Sequence, residues 1–149
     1  MRAVVQRVSE AAVDSEGVFV NEIKNGLMIL LGVEKGDTEK DAVYLAGKCV
    51  KLRIFEDENE RMNLSVKDTG GSILCVSQFT LLGDARGQNR PGFTAAETPE
   101  EADRLYELFC AETEKAGVET KKGVFRTHMR VSLVNDGPVT ILLDSRKLF

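Results

Sequence analysis

The strongest constraint on the fold is an uninterrupted apolar run from Leu27 to Val33 (LMILLGV), which follows the turn-forming pair Asn25-Gly26. A strand with one face in water alternates apolar and polar residues, whereas a strand covered on both faces is apolar throughout. Residues 27–33 have the length of a strand and show no alternation. We therefore predict that they form the central strand of a sheet that carries other elements on both faces.

Shorter strand patterns lie on both sides of this run. Residues 4–8 and 18–20 follow a period of two and are separated by Glu16-Gly17, which predicts a hairpin. Further strands are predicted at residues 73–76, 131–134 and 139–143.

Two segments have the period of an amphipathic helix. The first starts at residues 37–38, both of which are N-cap candidates, and extends to about residue 52. The second begins at Thr98-Pro99, with a capping box predicted between Thr98 and Glu101, and it ends at Gly117. The apolar positions are Ala42, Leu45, Ala46 and Cys49 in the first helix and Ala102, Leu105, Tyr106 and Phe109 in the second.

These patterns predict an α/β fold of mixed β-sheets with two main helices packed on one side. Strands outnumber helices, and both helices fall within the series of strands. At 149 residues and 42% hydrophobic composition, the chain can enclose one core but not comfortably two. We expect a single domain over residues 1–149.

The composition narrows the range of functions. The net charge is −4, which argues against a protein that coats nucleic acid but remains compatible with contact to one end of an RNA. No apolar stretch approaches the roughly 20 residues that a membrane-spanning helix needs. The first eight residues alternate and do not resemble a secretory signal. We expect a soluble, cytoplasmic protein that does not bind a membrane.

Neither thiol nor zinc chemistry is indicated. Cys49, Cys75 and Cys110 are odd in number and lie in apolar segments, which favours buried, reduced thiols. His128 is the only histidine, and there is no Cys-x-x-Cys pair, so no zinc ligand and no cofactor is assigned. The composition leaves open a magnesium ion held by carboxylates.

The common catalytic signatures are absent, among them Gly-x-Ser-x-Gly, the phosphate-binding glycine loop, His-Glu-x-x-His and the dinucleotide fingerprint. A Ser-His-Asp arrangement would have to use His128, and nothing in the sequence pairs it with a serine. A surface or partly buried histidine on a strand is the simpler interpretation.

Two segments stand out instead. At residues 77–81 (SQFTL) an apolar strand turns polar, so its last N–H groups either point at a ligand oxygen or simply mark the end of a strand. Residues 135–138 (NDGP) favour a hairpin turn whatever the function. A cis bond between Gly137 and Pro138 would be less common, since roughly 5–6% of X-Pro bonds are cis. The irregular stretch 82–96 is either a functional loop or solvated surface.

Together, SQFTL at 77–81 and NDGPVT at 135–140 resemble the two signature motifs of the D-aminoacyl-tRNA deacylases. Residues 1–8, the Arg90-Pro91 loop and Gly123-Val124-Phe125 resemble the same family, so the resemblance covers essentially the whole chain. It implies barrel-like sheets. It also implies hydrolysis of the ester bond of D-aminoacyl-tRNA, and of mischarged glycyl-tRNA.

The resemblance further implies a homodimer with shared sites. Gly137-Pro138, with a cis bond, would project into the active site of the partner subunit. There its carbonyls would capture the amino group of the substrate and leave no room for the side chain of an L-residue. Arg7 would brace this dipeptide.

Within each site, the main chain of Ser77, Gln78 and Phe79 would contact the ester carbonyl, while the 2′-hydroxyl of the terminal adenosine assists hydrolysis. Thr80 has a hydroxyl that could instead be the nucleophile, although the sequence identifies no base for it. Two other functions fit the motifs. One is a binding module of this fold that recognises a tRNA or DNA end without catalysis, and the other is a conventional serine or threonine hydrolase of small esters.

Phe125 and Met129 would line the adenosine pocket, where an aromatic face stacks on a base. Between them, Arg126-Thr127-His128 replace the small residues that are usual in the family. This region either adds local positive charge or forms a solvated face. Its basic residues are Lys121, Lys122, Arg126 and Arg130.

Overall fold

The computed structural model describes residues 1–149 as a sheet system with two main helices. The strands are β1 (Arg2–Ser15), β2 (Val18–Ile23), β3 (Gly26–Gly32), β4 (Phe55–Glu56), β5 (Met62–Leu64), β6 (Ser72–Ser77), β7 (Thr120–Lys122) and β8 (Met129–Asp144). The helices are α1 (Glu39–Lys51) and α2 (Pro99–Lys115), with a short 3-10 helix at Phe79–Leu82. None of these helices is long and apolar enough to span a membrane.

The main sheet is mixed and is organised around β1. One edge of β1 pairs antiparallel with β8 from Arg2 to Ser15, and the other edge pairs antiparallel with β3 and then with β2. Strand β6 lies parallel to β3, and β7 lies parallel to β6. The order is therefore β2-β1-β3-β6-β7, with β8 beside β1. The predicted mixed sheet and the hairpin of β1 and β2 are confirmed.

The apolar run forms the central strand β3, one residue earlier than predicted. It lies between β1 and β6, and all its residues except Leu30 are buried. Residues of α1 and α2 belong to a cluster of 22 buried residues on one face of the sheet. A second cluster of seven buried residues, among them Met28 and Leu74, covers the other face. The prediction that this strand is covered on both faces is confirmed.

The sheet curls until it is nearly closed, like a barrel. Strand β2 comes close to β6 and β7 across the curl, and the Asn21 side chain donates a hydrogen bond to the Lys122 carbonyl at 2.7 Å. The second core cluster takes residues from β1, β2, β3 and β6. A barrel-like sheet with two helices on one side was the predicted fold, and it is confirmed.

Both helices begin and end close to their predicted bounds. Thr38 is the N-cap of α1, and its N–H donates to Asp41 Oδ2 at 2.8 Å. Pro99 is the first residue of α2, and Gly117, which follows the end of that helix, has a φ of +93°. Glycine adopts this left-handed conformation without steric cost, which is why it ends helices so often.

The predicted capping box of α2 is wrong. Thr98 is the N-cap, but its side chain makes no capping hydrogen bond, and its N–H donates to Glu97 Oε1 at 2.8 Å. The Glu101 carboxylate instead accepts hydrogen bonds from Arg104. The sequence pattern could not show this result, because a capping box would join the Thr98 N–H to the Glu101 carboxylate. Here Glu97 accepts that N–H and Arg104 donates to that carboxylate.

The predicted hairpin turn at residues 135–138 is also wrong. Residues 129–144 form one long strand, β8, and both of its halves pair with β1. Val8 pairs with Asn135 and Gln6 pairs with Thr140, so residues 136–139 bulge from the sheet opposite Arg7. The peptide bond between Gly137 and Pro138 within this bulge is cis.

A buried ion cluster ties the chain start to the segment before α1. The Met1 ammonium lies 2.6 Å from Asp37 Oδ2, and neither group is exposed. Asp37 also accepts the Glu34 N–H at 2.7 Å and contacts Arg146 Nη2 at 3.1 Å. Removing the carboxylate from such a cluster leaves buried charge without compensation, which costs more than the pair itself contributes.

We expect Asp37→Ala to lower the free energy of unfolding by about 3 kcal/mol, because it leaves the Met1 ammonium unpaired in the interior. Urea denaturation of both proteins measures the difference. Asp84→Ala is the matched control, since it removes an exposed carboxylate paired with Arg86 and should change stability little. Equal losses in the two variants would contradict this prediction.

Candidate active site

One cavity gathers six of the nine residues predicted for the site. Its volume is 430 Å³, within the range of small-molecule sites. It lies where β6, the 3-10 helix, the start of α2 and the segment before β8 meet. The predicted residues that line it are Ser77, Gln78, Phe79, Thr80, Phe125 and Met129. The other three, Arg7, Gly137 and Pro138, do not line the cavity of their own chain.

Strand β3 holds the end of β6 at the point where the 3-10 helix begins. Gln78 N–H donates to the Leu31 carbonyl at 2.8 Å, and the 3-10 helix begins at the next residue. The first N–H groups of a helical turn have no acceptor inside that turn. The amides of Phe79 and Thr80 therefore suit a ligand oxygen in the cavity.

Gly32 at the end of β3 makes this close approach possible. A Cβ atom at this position would lie 2.6 Å from Leu82 Cδ2 and 3.0 Å from the Gln78 carbonyl oxygen. A side chain at this position would crowd Leu82 and the backbone of Gln78, so glycine favours the close contact between the 3-10 helix and β3. Sequence reasoning missed this role, and only the glycine that interrupts the apolar run could have drawn attention to it.

The cavity offers no evident base for the Thr80 hydroxyl. Thr80 Oγ1 lies 2.9 Å from Gln78 Nε2, which donates to it. Glu97 is the only acidic residue in the lining, and its two oxygens accept the N–H groups of Thr98 and Gly36. His128 is exposed and does not line the cavity. It also lies directly before β8, so its predicted place on a strand is wrong.

Aromatic residues form two walls of the cavity. The Phe125 ring packs on Tyr106 with centroids 6.2 Å apart, and the buried Tyr106 hydroxyl donates to the Cys75 carbonyl at 2.9 Å. At the rim, Phe79 meets Phe93 edge to face with centroids 5.1 Å apart. The irregular loop 82–96 thus holds a site residue through Phe93, a contact that sequence reasoning did not identify.

The cysteines take no part in this site. Cys49, Cys75 and Cys110 are free and buried, as predicted. Burial raises the pKa of the Cys49 thiol to about 12 and that of Cys75 well above its usual value, so both remain protonated. No group of three or more His, Cys, Asp or Glu side chains is placed to hold a metal ion.

Arg7 anchors the bulge that carries Gly137-Pro138. Its Nε donates to the Asp136 carbonyl at 3.0 Å and its Nη1 to the Ile54 carbonyl at 2.7 Å. Arg7 is 7% exposed, whereas Gly137 and Pro138 are exposed. A Cβ atom at position 137 would lie 2.9 Å from Arg7 Nη2, so the glycine leaves room for the Arg7 guanidinium beside the bulge. The dipeptide is held from the core side and faces outward.

The basic residues near the cavity differ in their pairing. Lys122 lies 2.6 Å from Glu107, and Arg130 lies 3.4 Å from Asp14. Arg126 lines the cavity and makes no ion pair.

The chain matches one protein family over nearly its whole length. The family model described as D-Tyr-tRNA(Tyr) deacylase matches residues 4–144. A D-aminoacyl-tRNA deacylase of Koribacter versatilis (strain Ellin345) is 58% identical over 149 residues, which cover 100% of both chains. A D-aminoacyl-tRNA deacylase of Kosmotoga olearia (strain ATCC BAA-1733 / DSM 21960 / TBF 19.5.1) is 58% identical over 150 residues, again with 100% of both chains covered.

Two solved structures share the architecture. The c-Myc DNA Unwinding Element Binding Protein has a TM-score of 0.91 at 40% identity, covering 97% of this chain and 98% of its own. A probable eukaryotic D-amino acid tRNA deacylase has a TM-score of 0.79 at 17% identity, covering 95% of this chain and 97% of its own, and shows a shared fold alone. From the family model and the full-length relatives, this chain belongs to the D-aminoacyl-tRNA deacylase family, whose members are hydrolases of an ester bond.

Proposed function

We propose that this protein hydrolyses the ester bond of D-aminoacyl-tRNA and releases a free D-amino acid and tRNA. The observation that carries the proposal is the cavity that joins the end of β6 to Phe125 and Met129 in a chain with full-length deacylase relatives. An enzyme with this substrate works where charged tRNA is found, in the cytoplasm.

The cavity suggests how the acceptor end binds. The terminal adenine stacks on Phe125 beside Met129, and the ester carbonyl faces the main chain at residues 77–80. There the Gln78 N–H is bonded to Leu31, and the amides of Phe79 and Thr80 act as donors. Water attacks the carbonyl carbon, the bond to the ribose oxygen breaks, and the ribose hydroxyl leaves. Because the Thr80 hydroxyl lacks a base, the neighbouring 2′-hydroxyl of the substrate assists this attack.

Selectivity in this proposal comes from a second copy of the chain. Gly137-Pro138 is exposed and lies outside the cavity of its own chain, which supports its insertion into the cavity of a partner in a homodimer. The cis-prolyl dipeptide then receives the amino group of the substrate and excludes the side chain of an L-residue. Glycyl-tRNA has no side chain to exclude, so it is a substrate as well.

A second candidate is a nucleic-acid-binding module without catalysis. It is favoured by the structural similarity to a protein named for binding a DNA unwinding element. This candidate predicts that charged tRNA is retained with its ester bond intact.

We expect the protein to deacylate D-Tyr-tRNA while leaving L-Tyr-tRNA intact, because the partner's dipeptide excludes the L side chain. The measurement is release of radiolabelled tyrosine from each tRNA over time. Equal rates would contradict the proposed selectivity. Tight binding of both tRNAs without any release would favour the binding module instead.

We expect Thr80→Ala to keep its rate on D-Tyr-tRNA within about threefold, because the 2′-hydroxyl of the substrate, and not the Thr80 hydroxyl, assists the attack. A tRNA ending in 2′-deoxyadenosine should react about 100-fold more slowly or worse, the lower end of general acid–base contributions. Single-turnover kinetics compare the two changes, with Thr80→Ser as the control that keeps the hydroxyl. Loss of turnover in Thr80→Ala that Thr80→Ser restores would identify a threonine hydrolase.

We expect Arg7→Lys to lower the ratio of D-Tyr to L-Tyr deacylation about tenfold. An ammonium group cannot reproduce the two hydrogen bonds of the guanidinium to Asp136 and Ile54, and the loss of one charge-assisted bond corresponds to that factor. The two rates are measured on the same preparation. Arg130→Lys, which alters an exposed pair with Asp14, is the matched control. An unchanged ratio in Arg7→Lys would show that Arg7 does not brace the selectivity element.

A further inference from the structure

One basic side chain in the cavity lining, Arg126, makes no ion pair within the chain. Arg126 is the only Lys or Arg among the thirteen lining residues. The neighbouring Lys122 and Arg130 each form an ion pair with a carboxylate, whereas the Arg126 guanidinium makes no ion pair and no hydrogen bond. The one acidic residue of the lining, Glu97, accepts the N–H groups of Thr98 and Gly36 and does not pair with Arg126.

The backbone holds Arg126 in an unfavourable conformation. Its φ is +61°, in the left-handed region that glycine adopts freely and residues with a Cβ avoid. The turn is fixed by its neighbours, since Thr127 Oγ1 donates to the Val124 carbonyl at 3.0 Å and lies 2.6 Å from Ser15 Oγ. A long charged side chain therefore occupies a position whose backbone suits glycine. Glu16, Glu60 and Lys147 also have a positive φ, and what sets Arg126 apart from them is its place in the cavity lining.

We propose that Arg126 binds the phosphodiester on the 5′ side of the terminal adenosine of the substrate. This inference rests on the proposed function, which places the adenine on Phe125 and the ester at residues 77–80. A single ribose joins the base, the ester and the 5′-phosphate, so the phosphate lies within one sugar of both groups. Arg126 follows Phe125 in the chain and lines the same cavity.

The chemistry of the side chain fits this ligand. A guanidinium donates two parallel hydrogen bonds to a phosphate and keeps its charge at every physiological pH. Arg126 thereby distinguishes an aminoacyl ester on a nucleic acid from an ester on a free nucleoside. It acts on binding of the substrate and contacts none of the reacting atoms.

Two small substrates test the proposal, 3′-O-D-tyrosyl-adenosine and the same ester on the dinucleotide cytidylyl-(3′→5′)-adenosine. Only the second has the phosphodiester. For the wild type we expect a lower KM with the dinucleotide ester. Arg126→Gly, which the backbone tolerates, should raise that KM about tenfold with kcat nearly unchanged, and should leave the nucleoside ester unaffected. Arg126→Lys should recover part of the loss.

Arg130→Ala serves as the control for a nearby basic residue that is already paired, and it should change neither KM. The salt dependence gives an independent readout. Loss of one phosphate contact should make the plot of log KM against log salt shallower by about 0.7 for a single-stranded ligand. Equal losses of Arg126→Gly on both esters, or none on the dinucleotide ester, would overturn the proposal.

A binding experiment separates this inference from the proposed function. Wild type and Arg126→Gly are titrated with unesterified cytidylyl-adenosine and with adenosine, so that no hydrolysis is needed. A preference of the wild type for the dinucleotide that the variant loses supports the phosphate contact, even if D-aminoacyl-tRNA proves not to be hydrolysed. The absence of that preference would refute the contact, even in an active deacylase.

Discussion

The pairing of β1 on both of its edges is the constraint on which the rest of the structure depends. Because β8 follows the whole of one edge, its residues 136–139, four residues opposite the single residue Arg7, have to bulge from the sheet. Arg7 is buried, and its guanidinium bonds the carbonyl of Asp136 on the bulge and that of Ile54 in the segment after α1. One side chain therefore links the core of the molecule to the segment that faces outward.

Local sequence patterns were sufficient to predict a strand or helix wherever a segment's own residues decide its conformation. The apolar run gives β3, and the helical periods give α1 and α2, because covered strands and amphipathic helices have distinct spacings. Residues 135–138 show the limit of this reasoning. Asn, Asp, Gly and Pro favour a hairpin turn and a bulge alike, and the outcome depends on whether the flanking strands pair with each other or with β1.

The residues of the candidate site were predicted from the resemblance to a family, because local physics alone left the roles of the two motifs, residues 77–81 and 135–140, open. The structure brings Ser77–Thr80 together with Phe125 and Met129, which lie some fifty residues later in the chain. It also adds contributors that have no motif. Gly32 and Phe93 act through close approach and ring contact, and such properties exist only after distant segments have met.

The close approach at Gly32 concerns the backbone that carries the N–H groups of this site, and not its side chains. Every residue except proline supplies a peptide N–H, so donors of this kind depend on the path of the backbone and hardly at all on the identity of the residues that carry them. Under the proposed mechanism, the protein could exchange polar side chains around the ester and keep its chemistry. An added methyl group on Gly32, which is not among the residues that line the cavity, would instead disturb the backbone that carries these donors.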